Sequence, residues 1–364
     1  VFGTYTEAYA YIAILLVVLT YGMETALFHF AERQSKPLRV FSTALISLIA
    51  STSVFWALLF SNKESVAHFM NHPDHPEYVG WLGLIIGLDA LTALPMAFLR
   101  QQNRPFRFTG ITLANIGVNI GLNLYWLWYC RSHYLATEGN PNALVDVTYN
   151  HDIGVGYIFI ANLTASGIKA LLCLPLLRGI PVFFDWSLWK SMMRYALPLL
   201  IAGLGFIVNE RLDVIMLSKL LPMGEEAARQ QVGIYGACYK LAILMTNFIQ
   251  AFRYATEPFF FRNQHEGNAR SMYARVMNYF VAFCCLLFLG VNLYMDLVKH
   301  FIQSEAYWVG LSIVPVIMLA NMFLGIYINL SMWYKLSGQT YFGALISIVG
   351  ALVTVGLNYL LIPY

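Results

Sequence analysis

Ten stretches of this sequence are long and apolar enough to cross a bilayer as helices: 5–30, 41–60, 81–99, 110–129, 155–177, 195–217, 232–260, 277–298, 309–333 and 341–361. A hydrocarbon core of about 30 Å takes roughly 20 apolar residues in helical form. A β-barrel would need alternating strands of about ten residues, and runs such as Ile12–Leu19 do not alternate. Composition points the same way. The chain is 59% hydrophobic and 11% charged, whereas a soluble domain carries about 25% charged residues. An all-α, polytopic membrane protein is predicted, and most soluble enzyme folds are excluded. The net charge of +3 is too small to indicate a nucleic-acid partner.

Lysine and arginine in the connections set the orientation, because cytoplasmic loops carry the excess. One set of loops holds Arg33, Lys36, Arg39, Arg100, Arg104, Arg107, Arg178, Lys190, Arg194, Arg262, Arg270, Arg275 and Lys335; the alternate set holds only Lys63, Arg131, Lys219, Arg229 and Lys299. The split alternates at each crossing, so the first span runs from outside to inside. The chain opens on Val1 at the edge of an apolar block and ends in another, and both ends read as cut from a longer protein. Pro95, Pro175, Pro198, Pro258 and Pro315 fall in or beside spans. Each removes a backbone hydrogen bond and favours a kink, which predicts bent helices around a cavity.

The first and seventh spans resemble each other. Gly3, Tyr5 and Tyr9 match Gly233, Tyr235 and Tyr239 at one offset, and YGMETALF matches YATEPFFF after a three-residue shift, aligning Glu24 with Glu257. Spans six apart run in the same direction, so this pattern predicts two parallel six-helix repeats, a transporter architecture. On that scheme the first unit lacks its opening helix and the second its last. The expected organisation is an N-terminal lobe over 1–178, an amphipathic cytoplasmic linker over 179–194 and a C-terminal lobe over 195–364.

Ionisable residues inside the spans are the candidate functional groups, since each costs roughly 2.5–3.5 kcal/mol at mid-membrane unless it faces a cavity or partner. In the seventh span Lys240, Asn247, Gln250, Tyr254 and Glu257 fall within an arc of about 80°, and Arg253 lies off it. The first span carries Thr6, Tyr9, Thr20 and Glu24 on one face. Asn115, Asn119 and Asn123 follow one another at i, i+4 and i+8 in the fourth, with Gly117 and Gly121 alongside; the amides either line a wet lumen or hydrogen-bond to another helix whose close approach the glycines permit. Asp89 lies in the third span, Lys169 in the fifth, and Asn209, Glu210, Arg211 and Asp213 in the sixth. Two readings stand. The charges pair with one another, Lys169 with Asp89 and Arg211 with Glu210 or Asp213. Alternatively, Lys and Arg bind an anionic group such as a phosphate in a cationic, aromatic-lined cavity, while acids and amides take Na⁺ or H⁺.

The remaining constellations are weaker. His68, His72, His75 and Asp74 share the loop HFMNHPDH, where proline breaks helical spacing, so a solvated loop is expected rather than a metal site. Cys130, Cys173, Cys238, Cys284 and Cys285 show no CxxC or ligand spacing, which predicts neither disulfide framework nor zinc. No nucleotide-binding or nucleophile-elbow motif is present in the sequence.

The junction FDWSLWKSMMRYALPLLIAGLGFIVNERLDVIMLSKLLP, followed by VGIYGACYKLAILMTNFIQAFRYATEPFFF, resembles the bacterial oligosaccharide flippases, the Wzx-like branch of the multidrug/oligosaccharidyl-lipid/polysaccharide (MOP) exporter superfamily. The shared features are a short amphipathic linker (Asp185, Leu188, Lys190), Tyr195, Pro198, Asp213, the step Gly233–Tyr235 and Lys240. The resemblance implies a MATE-like fold of two six-helix lobes around a cationic cavity. It also implies transfer of undecaprenyl-pyrophosphate-linked oligosaccharide from the cytoplasmic to the periplasmic leaflet of the bacterial inner membrane by alternating access, for surface polysaccharide synthesis. By that analogy Lys169, Arg211, Lys240, Asn247, Gln250 and Tyr254 line the pyrophosphate and glycan path. Glu24, Asp89, Asp213 and Glu257 couple ions or gate. The expected partners are the lipid-linked oligosaccharide, membrane lipids and polysaccharide polymerase machinery. No cofactor is expected beyond a coupling Na⁺ or H⁺.

A MATE-type drug/cation antiporter would want an acidic cavity, against which Lys169, Lys240 and Arg253 count, and a lipid II flippase is a closer alternative. A membrane-embedded enzyme would show a larger outer loop than the connection at about 130–154. The expectation is a transporter, not an enzyme.

Overall fold

The computed structural model of the chain describes residues 12–34, 36–69, 76–137, 143–150, 153–154, 156–222, 225–264, 267–302 and 305–363, with the side chains of 69, 143–144, 208–215, 218–219 and 225–230 excepted. The described residues are helical and contain no strand. Ten helices correspond to the ten expected spans: α1 (Ile12–Ala31), α2 (Pro37–Ser61), α3 (Pro76–Gln101), α4 (Pro105–Asn123), α5 (Gly156–Cys173), α6 (Trp186–Leu220), α7 (Glu225–Arg262), α8 (Ala269–Leu293), α9 (Val314–Leu330) and α10 (Tyr341–Leu361). Eight helical segments of the described chain are long and apolar enough to cross a membrane. The spans expected at 110–129 and 195–217 are α4, prolonged by a π-helical turn at Leu124–Cys130, and the central part of α6.

The chain divides into two compact units, Val1–Arg194 and Tyr195–Tyr364, with α6 running through the boundary. In the first unit α3 is the most buried helix and packs against α1, α2 and α5, while α5 also packs on α4. Its apolar core gathers Tyr78, Leu82, Ile85, Ala90 and Phe159. Glycine allows the approach of α2: a Cβ on Gly87 would run into the Trp56 ring, and the Trp56 indole N–H donates to the Gly83 carbonyl at 2.8 Å. Helix α1 is interrupted at Tyr21–Gly22, where both residues have positive φ; the Tyr21 hydroxyl is 2.6 Å from Ser47 Oγ on α2.

The segment leading into α6 is fixed to α2 as well. Backbone N–H groups of Phe183 and Asp185 donate to the hydroxyls of Ser42 and Thr43, and Trp189 Nε1 donates to Ser47 Oγ at 2.7 Å. Asp185 then accepts from the N–H groups of Ser187 and Leu188, satisfying donors that a helix start leaves open. Beyond α4, Trp126, Tyr149 and Tyr157 pack ring on ring, and burial raises the Tyr149 phenol above its ordinary range.

In the second unit α7 packs against α9 and the 3₁₀ segment Glu305–Ile313, and α8 against α9. Cys238, Met245, Phe280 and Met318 lie at the centre of that core. Tyr195 accepts from Thr340 Oγ1 on its carbonyl and donates through its hydroxyl to the Lys335 carbonyl, which fastens the start of this part of α6 to the α9–α10 connection.

The prolines divide into two kinds. Pro95, Pro198 and Pro258 are helix-internal. Pro175 sits in a 3₁₀ turn after α5, and Pro315 lies in the first turn of α9, where the missing N–H has no intrahelical partner to lose. One expectation is corrected: Gly117 and Gly121 face open space, so they mediate no close helix approach in the described structure. The Asn row bonds within its own helix instead, Asn123 Nδ2 donating to the Asn119 carbonyl and Oδ1 at 2.8 and 2.7 Å.

Candidate functional site

The polar arc of α7 lies opposite the face that builds the core of its unit. Ile234, Cys238, Leu241, Met245 and Ile249 turn inward. Lys240 and Asn247 are exposed, and Tyr254 is 42% exposed. A helix with 100° per residue must separate these two sets. Lys240 makes no ion pair with a described residue. Gln250 is half-buried, and its Oε1 lacks a hydrogen-bond partner.

At the C-terminal end of the arc the chemistry changes. Glu257 is buried, 3.4 Å from Lys335 Nζ through Oε1 and 3.9 Å from Arg253 Nε through Oε2. Arg253, which lies off the polar arc, is thus part of this cluster, and Glu257 has two cations of its own unit beside it.

The first unit contains the equivalent arrangement. Glu24 on α1 accepts from Arg100 NH2 on α3 at 2.7 Å, and the Arg100 guanidinium lies over the Phe28 and Phe108 rings. In both units a carboxylate on one of the two spans aligned by sequence, Glu24 on α1 and Glu257 on α7, meets a cation at the C-terminal end of the span two further on. The sequence spacing agrees, since Glu24 and Glu257 are 233 residues apart and Arg100 and Lys335 are 235 apart. Charge counting placed Arg100 and Lys335 among loop cations and missed these roles. The signal that could have found them was the repeat, extended from the first span to the third.

Higher in the first unit, Asp89 Oδ1 on α3 accepts from Lys169 Nζ at 3.3 Å and from Ser166 Oγ at 3.1 Å, both on α5. Lys169 and Asp89 thus realise the pairing alternative, each less than a quarter exposed. Arg211 and Asp213 belong to α6, but their side chains, with those of Asn209 and Glu210, lie outside the described residues. Thr6 and Tyr9, and His72, Asp74 and His75, also lie outside them. Among the described residues no group of three His, Cys, Asp or Glu could hold a metal ion. The structure therefore brings the named residues together as three intra-unit clusters and leaves Lys240, Asn247 and Tyr254 on an exposed polar face.

Comparison with known proteins adds a family match and a fold. Residues 1–134 match the family model described as polysaccharide biosynthesis protein. No curated protein matches the sequence. A crystal structure of MATE in complex with MaD3S superposes with a TM-score of 0.65 at 15% identity, covering 99% of this chain and 87% of that one. The outward-facing conformation of a multidrug resistance MATE family transporter of the MOP superfamily gives 0.62 at 15% identity, covering 98% and 85%. The chain is a multi-pass helical membrane protein with the fold of the MATE transporters, and its first 134 residues match the polysaccharide biosynthesis family.

Proposed function

We propose that this protein is a secondary transporter that moves an undecaprenyl-pyrophosphate-linked oligosaccharide from the cytoplasmic to the periplasmic leaflet of the bacterial inner membrane by alternating access. The observation that carries the reading is the polysaccharide biosynthesis match over residues 1–134, and the exposed Lys240, which forms no ion pair with a described residue, supports it. A pyrophosphate with an attached glycan cannot cross hydrocarbon, because isolated charges and unpaired hydroxyls carry large desolvation costs. A polar helix face bearing an ammonium, an amide and a phenol offers that head group a substitute for water while the polyprenyl tail stays in lipid.

Within this reading Lys240 binds the pyrophosphate, and Asn247, Gln250 and Tyr254 line the route. Lys169 and Arg211 are further anion-binding candidates, with Lys169 held by Asp89 at rest. Glu24, Asp89, Asp213 and Glu257 are coupling or gating candidates for Na⁺ or H⁺. Polysaccharide polymerase machinery is the expected partner downstream.

The test is leaflet accessibility of a labelled undecaprenyl-pyrophosphate glycan in proteoliposomes containing the full chain, with and without an imposed Na⁺ or H⁺ gradient. Gradient-dependent movement supports the proposal and identifies the ion. The fold shared with multidrug transporters makes drug antiport the second reading. Gradient-driven efflux of a cationic dye with no lipid movement would favour it.

A further inference from the structure

The first unit has a groove of about 550 Å³ between α2 and the start of α6 that none of the charge clusters accounts for. Ile46, Ala50 and Val54 line it from α2, and Trp186, Trp189 and Met193 line it from α6. Among the described lining residues there is no Lys, Arg, Asp or Glu. The polar groups that do line it are already engaged. Ser47 Oγ accepts from Trp189 Nε1 at 2.7 Å and lies 2.6 Å from the Tyr21 hydroxyl, and Ser51 Oγ donates to the Leu48 carbonyl at 3.1 Å. Val54 and Trp186 are more than half exposed, so the groove opens at the surface of the unit. A sugar or an ion would lose its hydration there without recompense, whereas an apolar chain would gain contact on both walls.

Cations frame the end where α2 begins. At 100° per residue Arg39, Ile46, Ala50 and Val54 fall within an arc of about 80° on α2, and Arg39 precedes Ile46 by about two turns. On α6 Trp186, Trp189, Lys190 and Met193 fall within about 100° by the same arithmetic. The Arg39 guanidinium lies over the Phe183 ring, 4.7 Å from its centroid, and the Lys190 ammonium lies 5.5 Å from that of Trp186. Both cations are exposed, and neither forms an ion pair with a described residue. The acid beside them in sequence, Asp185, is engaged by the N–H groups of Ser187 and Leu188. From Ile46 to Val54 the α2 wall is about 12 Å long, close to the depth of about 15 Å of one hydrocarbon leaflet. That length suits one acyl chain and is short for a polyprenyl tail.

We propose that this groove binds an anionic phospholipid of the bilayer. One acyl chain lies along Ile46, Ala50 and Val54, and the head-group phosphate meets Arg39 and Lys190. Trp186 and Trp189 sit between chain and head group, at the level where indoles are enriched in membrane proteins. The lipid thereby reinforces the attachment of α2 to the segment leading into α6, which Ser42, Thr43 and Ser47 already make by hydrogen bonds. The site is independent of the cargo assigned above.

The experiment is native mass spectrometry of the delipidated full chain in detergent, titrated with palmitoyl-oleoyl phosphatidylglycerol or with phosphatidylcholine of the same chains. Thermal unfolding is followed with and without each lipid. One phosphatidylglycerol should bind about tenfold more tightly than phosphatidylcholine, since cations at a membrane surface favour anionic head groups, and it should raise the unfolding temperature. Arg39→Gln/Lys190→Gln should level the two lipids. Ala50→Trp, at an exposed position, fills the groove and should abolish both retention and the temperature shift, while unfolding without lipid as the parent does. Val54→Trp blocks the far end and should act in the same way.

Equal binding of the two lipids by the parent overturns the site. So does a lipid preference that survives in both Ala50→Trp and Val54→Trp, which would reduce the attraction to head groups at the surface. Undecaprenyl phosphate that displaces phosphatidylglycerol from the parent at equal concentration would place the groove on the cargo route and overturn it as well.

Discussion

Lys335 Nζ lies 3.4 Å from Glu257 Oε1 across α7 and the helical turn after α9, as Arg100 lies 2.7 Å from Glu24 across α3 and α1. The same device thus occurs once in each unit, toward the C-terminal ends of corresponding helices. The two copies differ in environment. The Glu257 side chain is 5% exposed, whereas that of Glu24 is 34% exposed, so water can replace a lost partner only in the first unit.

That difference predicts unequal costs. Lys335→Met removes the 3.4 Å partner of a buried carboxylate and should destabilise the second unit by about 3 kcal/mol. The double variant Glu257→Gln/Lys335→Met should recover most of the loss. Arg100→Met leaves Glu24 partly solvated and should cost about 1 kcal/mol. Thermal unfolding of the detergent-solubilised chain reads all three. Equal losses from Lys335→Met and Arg100→Met would show that burial does not set the energetics of these pairs.

Packing in the first unit yields a second prediction. Gly87 faces the Trp56 ring so closely that a Cβ has no room, and Trp56 is held by its bond to the Gly83 carbonyl. Gly87→Leu should therefore part α2 from α3 and destabilise by about 1–3 kcal/mol. Gly117→Leu on α4, where the space is open, should be neutral in the same thermal assay.

Much of this architecture was legible in the sequence because membrane helices announce themselves by length and apolar content, and within the described residues all ten expected spans fall on helices. The matching motif of the first span, Gly3, Tyr5 and Tyr9, lies outside the described residues, and the agreement that the structure adds to the repeat is the pair of carboxylate–cation contacts at Glu24 and Glu257. Side-chain partners were not legible. Arg100 and Lys335 sit where a helix meets the interface, and composition alone cannot distinguish a solvated loop cation from one that turns back to a carboxylate. The pairing of Lys169 with Asp89 stood as one of two alternatives, since deciding it required the distance between α3 and α5.

The Asp89–Lys169 pair allows structural and transport roles to be separated. Lys169→Met should destabilise, as Asp89 loses one of its two donors while keeping Ser166, and Asp89→Asn/Lys169→Met should restore the unfolding temperature. If these residues also bind or couple, the double variant will be stable yet defective in leaflet transfer by about tenfold or more. A stable double variant with parental transfer would assign the pair to architecture alone.

Lys240 should behave in the opposite way. Its ammonium lies within a membrane span, where an unpaired charge costs roughly 2.5–3.5 kcal/mol, yet its side chain is exposed and forms no ion pair among the described residues. Removing it strands no partner among the described residues, so Lys240→Ala should unfold at the parental temperature or above. Transfer of the undecaprenyl-pyrophosphate glycan should fall at least about tenfold, corresponding to loss of one charge-assisted hydrogen bond to the pyrophosphate. Lys240→Arg keeps the charge and should retain most transfer, and Lys240→Glu should abolish it by repulsion. A labelled lipid glycan with a membrane-impermeant quencher follows all three in proteoliposomes. Parental transfer by Lys240→Ala would remove this lysine from the anion path and shift attention to Lys169 and Arg211.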